Sequence, residues 1–281
     1  MHVSSYAKVN LYLKIGKKLR SGYHDIQSIM QPVKLHDSIS FEKLKEDKIV
    51  IESNNRELES KNNLVYKAAE LLKKKFNVKE GIKIRVDKAI PISAGLGGGS
   101  SNAASTLVFL NKLWGLKLNQ KKLVEIGIKI GSDVPFFVFG HTSLVEGIGD
   151  KVKPLKKSVS INIVLVNPGI KVATTKAYGW FDKEKKSKSK GNIKGMINAI
   201  SKKDIKKIAE NMHNDFDEII GKKHGVIREI KTNFRKFDSL NAMIVGSGPT
   251  VIGVFDSIYS AREAYFKLKD LYPFVYLTKT F

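Results

Sequence analysis

The 281-residue sequence contains no cysteine. That excludes a disulfide scaffold, a thiolate metal centre and a cysteine nucleophile. No apolar run approaches the roughly 18 residues of a membrane span. The longest candidates, Val134–Phe139 and Ile161–Val166, are short. The first residues do not form a signal peptide, because Lys8 and Asn10 interrupt any apolar core. The expectation is a soluble, cytoplasmic protein with no membrane partner. Arginine is also scarce: 6 of the 50 basic residues are arginine and 44 are lysine. Base readout and bidentate phosphate clamps favour arginine. The net charge of +23 therefore reads as a solvated lysine surface, with no nucleic-acid partner expected. A diffuse positive field would still recruit an anionic small molecule.

What is present suffices for a core. Hydrophobic residues make up 42% of the chain, too much for a disordered segment, and the length suits one large domain or two ordinary ones. Residues 7–15 alternate, with Ala7, Val9, Leu11, Leu13 and Ile15 on one face, which predicts a half-buried strand. Asn63 precedes apolar residues at helical spacing. Residues 82–86 alternate as a strand, and a glycine-rich segment leads into a helix over 102–114. A helix over 120–130 would end at Gly131. In the second half, helical patterns occupy about 193–200, 202–212 and 223–236. Ser260 and Glu263 suggest a capping box. Segment 182–190 is lysine-rich and reads as an exposed loop. Strands and helices mix without a regular βαβ repeat, which predicts an α+β protein in two lobes, 1–155 and 156–281.

Five segments carry chemistry. Pro91-Ile92-Ser93-Ala94-Gly95-Leu96-Gly97-Gly98-Gly99-Ser100-Ser101 packs four glycines into five positions ahead of a helix. Such a loop lets backbone amides approach a ligand, and the helix N-terminus adds free N–H groups and a positive dipole end, making a phosphate cradle. It is not a Walker A loop, since no Gly-Lys-Ser/Thr follows, and Ser100 stands where a dinucleotide fingerprint needs its third glycine. Lys8 and Asn10 share one strand face, where a lysine can neutralise a phosphate or simply be solvated. Asp133, in Gly131-Ser132-Asp133-Val134-Pro135, is either a general base or a helix N-cap. Tyr23-His24 can stack on and bond a heterocycle. Gly246-Ser247-Gly248-Pro249-Thr250 is a tight turn that can present amides.

Taken in order along nearly the whole chain, Ala7–Leu11, Pro91–Ser101 and Gly246–Thr250 resemble the three motifs of the galactokinase, homoserine kinase, mevalonate kinase and phosphomevalonate kinase (GHMP) superfamily. Tyr23-His24, Gly131–Pro135 and Glu146-Gly147-Ile148-Gly149-Asp150 resemble the branch whose acceptor is a cytidine-diphosphate alcohol. Ser21 and Val245 depart from that branch's usual residues. The resemblance implies an N-terminal lobe like ribosomal protein S5 domain 2 and a ferredoxin-like C-terminal lobe. It further implies Asp133 as base, Lys8 as stabiliser of the developing charge, and Asn10 and Thr174 beside the acceptor. Tyr23 and Tyr178 would sandwich the cytosine, with His24 on its polar edge. Residues 91–101 would wrap the ATP phosphates, and Asn63 and Leu64 would border the adenine. Mg2+ is implied with ATP; Ser100 or Ser101 is a candidate ligand. A monomer or weak homodimer is expected.

Overall fold

The computed structural model describes residues 1–184 and 191–281. The chain divides into two compact units of discontinuous segments. The first comprises Met1–Ala7, Leu35–Ile92 and Gly97–Gly140; the second comprises Lys8–Lys34, Ser93–Leu96 and His141–Phe281. Two long strands, β1 (His2–Lys18) and β2 (His24–Leu44), contribute one end to each unit.

In the first unit, residues Ser38–Leu44 of β2 pair antiparallel with β4 (Gly81–Asp87). Strand β3 (Ile49–Ser53) pairs parallel with β4. Helices α1 (Leu64–Phe76), α2 (Gly98–Leu113), α3 (Gln120–Gly127) and α4 (Val134–Phe139) complete the unit. Alternation along β4 sends Ile82, Ile84 and Val86 into a core with Val65, Leu72, Leu107 and Ile126. Helix α1 starts where Asn63 accepts a bond from the Val65 amide and ends at Asn77, whose φ of 52° closes it in the left-handed region.

In the second unit, β5 (Ser143–Gly147) pairs antiparallel with β2 and with β6 (Lys151–Pro154). A separate antiparallel sheet contains β7 (Asn162–Asn167), β9 (Asn241–Ile244), β10 (Val251–Phe255) and β11 (Phe274–Lys279), in the order β11-β7-β10-β9. Helices α5 (Thr174–Lys183), α6 (Ile193–Lys202), α7 (Ile205–Asn211), α8 (Asp217–Lys223) and α9 (Gly225–Lys236) lie between β7 and β9 in sequence. Helix α10 (Ile258–Leu268) lies between β10 and β11. The short β8 (His213–Asn214) pairs parallel with β1. The fourth, first, third and second strands of the sheet thus lie side by side with helical crossovers, a ferredoxin-like split βαβ arrangement. Its core includes Val164, Val166, Phe216, Ile230, Phe234 and Phe255.

Several local expectations are corrected. Strand β1 is not half-buried: Ala7 through Leu13 are buried on both faces, Lys8, Asn10 and Tyr12 included. The alternating polar side chains line an interior surface, so alternation here does not mark solvent. The cap of α10 is Ser257, which accepts from the Tyr259 amide, in place of the Ser260–Glu263 box. Helix α3 ends at Gly127, before Gly131. Helix α2 begins at Gly98, inside the glycine run, because Gly97 holds φ at 72° and turns the chain into the helix. Helices α5 and α8 and most of β2 were not legible. Asp182 belongs to α5 and not to an exposed loop; 185–190 of that expected loop lie outside the described residues. No helix among the described residues is long and apolar enough to cross a membrane.

Candidate active site

In the second unit, three motifs distant in sequence meet. The Lys8 ammonium donates to Asn10 Oδ1 at 2.6 Å, Asn10 Nδ2 donates to Ser28 Oγ at 2.9 Å, and Ser28 donates to the Tyr12 carbonyl at 2.7 Å. Lys8 is 3% exposed and Asn10 1%. This burial rejects a solvated role for the pair, since an ammonium leaves water only where anionic or polar partners receive it. The Lys8 amide donates to the Leu96 carbonyl, tying β1 to the glycine loop. Gly246 sits against the same group: a Cβ there would lie 3.3 Å from Lys8 Nζ and 3.4 Å from Asn10 Oδ1.

The glycine loop and the third motif approach backbone to backbone. A Cβ on Gly95 would lie 2.2 Å from the Val245 carbonyl oxygen, and one on Gly248 would lie 2.4 Å from the Ala94 carbonyl carbon. Ser93, at φ 56°, and Gly95, at φ 83°, supply the left-handed turns that bring the loop there. Val245 is fully buried, so its departure from the family's usual residue falls on packing. Asn214 holds the motif by donating to the Ile244 and Gly246 carbonyls. Asn167 donates to Thr250 Oγ1 at 3.1 Å. Thr174, opening α5, shares a 3.0 Å hydrogen bond with Ser247. Asn214 and Ser28 were missed, having no signal beyond their residue type.

The first unit holds the helix end of the loop. No side chain caps α2, and the first amides of a helix have no intrahelical acceptor. These amides, with the positive dipole end, fit a phosphate. Ser101 is buried and its hydroxyl is paired with Ser5 Oγ at 2.7 Å, which leaves Ser100 as the serine open to a ligand. Beneath the helix start lies a pair that sequence reasoning missed. Buried Asp37 bonds Lys88 Nζ and accepts from the Ala89 and Ile90 amides, each at 2.8 Å. Burial holds the Lys88 ammonium below its ordinary pKa, against the pull of Asp37. A Cβ on Gly98 would lie 2.9 Å from Lys88 Nζ, so this pair sets the floor of the loop.

Asp133 occupies the N-cap position of α4, yet its carboxylate makes no capping bond. The segment before it adjoins the α2 start: a Cβ on Gly131 would lie 3.6 Å from Ser100 Oγ. Asn63 spends its side chain on the Val65 amide and the Leu58 carbonyl. Leu64 reaches toward α2, 3.6 Å from where a Gly99 Cβ would stand. In the second unit, His24 is buried and stacks on Tyr178, with centroids 4.8 Å apart and planes 21° apart. Tyr23 is 59% exposed. Among the described residues no group of three or more His, Cys, Asp or Glu could hold a metal ion.

Two family models match the chain. Residues 63–141 match the GHMP kinases N terminal domain and residues 196–273 the GHMP kinases C terminal domain. A curated relative from Caldicellulosiruptor saccharolyticus, 4-diphosphocytidyl-2-C-methyl-D-erythritol kinase, is 42% identical over 281 residues, covering 100% of this chain and 97% of the relative. A solved 4-(cytidine 5'-diphospho)-2C-methyl-D-erythritol kinase superposes with a TM-score of 0.85 at 24% identity, covering 100% of this chain and 99% of that one. Homoserine kinase from Cytophaga hutchinsonii superposes with a TM-score of 0.78 at 18% identity, over 99% and 95%.

Proposed function

The chain belongs to the GHMP kinase family, and from that premise we propose how its residues carry out the reaction. The protein is an ATP-dependent kinase that phosphorylates the 2-hydroxyl of 4-diphosphocytidyl-2-C-methyl-D-erythritol, a step of the methylerythritol phosphate route to isoprenoids. The N-terminal GHMP domain is taken as residues 1–155 and the C-terminal domain as 156–281.

Phosphoryl transfer asks for alignment and charge neutralisation more than for covalent participation. Asp133 takes the proton of the acceptor hydroxyl. The freed oxygen attacks the γ-phosphorus of ATP; the new O–P bond forms as the bond to the β,γ-bridging oxygen breaks, and ADP leaves. Lys8, desolvated and aimed by Asn10, stabilises the ionised oxygen and the charge spreading over the transferred group. Residues 91–101 receive the phosphates through backbone amides. Asn63 and Leu64 border the adenine, Asn10 and Thr174 border the erythritol portion, and Tyr23, His24 and Tyr178 take the cytosine. Mg2+ would neutralise phosphate charge when bound with ATP. It would be held mostly by phosphate oxygens and water, as hard cations are in kinase sites, and of Ser100 and Ser101 it is Ser100, whose neighbour's hydroxyl is paired with Ser5, that would join it. The protein acts as a monomer or weak homodimer in the cytoplasm, with no nucleic-acid partner.

The observation that carries this reading of the residues is the buried Lys8–Asn10 pair meeting Gly246. That places a desolvated cation against the third motif, where a phosphate would be received. The test is ADP release with a panel of acceptors. The cytidine-diphosphate alcohol is turned over, and mevalonate and homoserine are not. Comparable kcat/KM on either simple alcohol would overturn the assignment.

A further inference from the structure

His24 is fixed on three sides. Tyr178 covers its face, and Phe181 meets it edge-on at a centroid distance of 6.0 Å. Its Nε2 lies 2.7 Å from Asp182 Oδ1, and the other oxygen of that carboxylate accepts from Lys18 Nζ at 2.6 Å. Hydrogen bonds from Lys18 and then His24 hold the Asp182 carboxyl below the ordinary carboxylate range. An ionised carboxylate only accepts, so the ring proton must sit on Nε2. In the neutral ring the other nitrogen, Nδ1, is then a hydrogen-bond acceptor and not a donor.

We propose that Asp182 is a positioning residue that fixes His24 as an acceptor toward the pyrimidine and so sets the choice of base. This rests on the cytidylyl reading above. Cytosine carries an amino donor where uracil carries a carbonyl oxygen. An Nδ1 lone pair bonds the first, and against the second it leaves two acceptors facing each other. Without Asp182 the ring proton can occupy either nitrogen, and a ring with N–H at Nδ1 suits uracil. Lys18 neutralises the carboxylate, so the relay costs no unpaired charge next to a diphosphate substrate. Neither residue stood out in the sequence: Asp182 lies at the start of a lysine-rich stretch, and Lys18 is one of 44 lysines.

The test compares wild type, Asp182→Ala and Asp182→Asn at mildly alkaline pH, with cytidylyl and uridylyl forms of the acceptor. Asp182→Ala should raise KM for the cytidylyl acceptor about tenfold and shrink the cytidylyl preference by a similar factor, in keeping with one base-edge contact. Its kcat and its KM for ATP should stay near wild type. Asp182→Asn, whose amide oxygen can still accept from Nε2, should keep most of the preference. Calorimetric titration of CDP against UDP reads the same ratio without turnover. A lower Tm with an unchanged ratio would assign Asp182 a structural role alone and overturn the inference. A wild-type enzyme that ignores the cytidylyl acceptor would overturn the kinase reading itself, which separates the two failures.

Discussion

Gly95→Ala and Gly99→Ala change one glycine loop by the same methyl group, and the structure assigns them opposite outcomes. At Gly95 the backbone is left-handed, with φ at 83°, which costs a side-chain-bearing residue roughly 1–2 kcal/mol. The added carbon would also stand 2.2 Å from the Val245 carbonyl oxygen, where ordinary contact begins near 3.4 Å. The obstacle is backbone and cannot swing aside, so the loop and the third motif must separate by about 1 Å. Together these effects amount to about 2–4 kcal/mol. Gly99 lies in the first turn of α2, its φ is not positive, and its added carbon would meet only Leu64 Cδ1 at 3.6 Å. There alanine gains up to about 1 kcal/mol of helix propensity. Thermal unfolding followed by circular dichroism should place the two midpoints on the order of 10 °C apart, at about 2–4 °C per kcal/mol for a chain of this size. The same Gly95 variant should lose kcat/KM, because it parts the loop from the motif beside Lys8. Equal midpoints, or a Gly95→Ala protein as stable and active as wild type, would show that the close approach is not needed.

Asp133→Asn should lower kcat by ~10²–10⁴-fold, the usual worth of a general base, with both KM values and Tm almost unchanged. Near-normal kcat in the folded variant would end the base assignment. Tyr23→Ala removes an exposed ring, so stability should hold while KM for the cytidylyl acceptor rises and KM for ATP does not; stacking of a base is worth ~1–3 kcal/mol. The reverse pattern would move Tyr23 to the nucleotide side. Asp37→Asn leaves the Lys88 ammonium buried without its counter-charge, which should cost about 3–5 kcal/mol in urea unfolding. Adding Lys88→Met should recover most of that loss, and no recovery would mean the pair is not the source.

Chemistry and order along the chain could be read directly. The glycine density of Pro91–Ser101, Asp133 before a proline, the Tyr23-His24 pair and the glycines of Gly246–Thr250 are local features, legible because glycine and proline act on the backbone at their own positions. The 3.6-residue and two-residue apolar periods located α1, α6, α9 and β4, since periodicity records which face meets a core. Residues 7–15 show where that reasoning stops. Alternation has the same form whether the polar face meets water or an interior lined with functional groups, and only the packed strand shows Lys8 and Asn10 buried.

Tertiary structure alone decided which residues lie together. Lys8, Leu96 and Gly246 are scattered over more than two hundred positions, and only the folded second unit brings the Lys8 ammonium to the glycine turn. Asp37 carried no signal as one acidic residue within a long strand, yet folding buries it beneath the glycine loop with Lys88 and two amides. Asp182 read as part of a charged loop until α5 turned it toward His24. Sequence by itself thus located the glycine-rich backbone segments and the side chains proposed for the chemistry, because those features belong to single residues and their neighbours. Partnership, burial and the direction of a hydrogen bond are properties of pairs brought close by the whole fold, and a hydrogen bond formed within 3 Å leaves no trace in the spacing of residues along the chain.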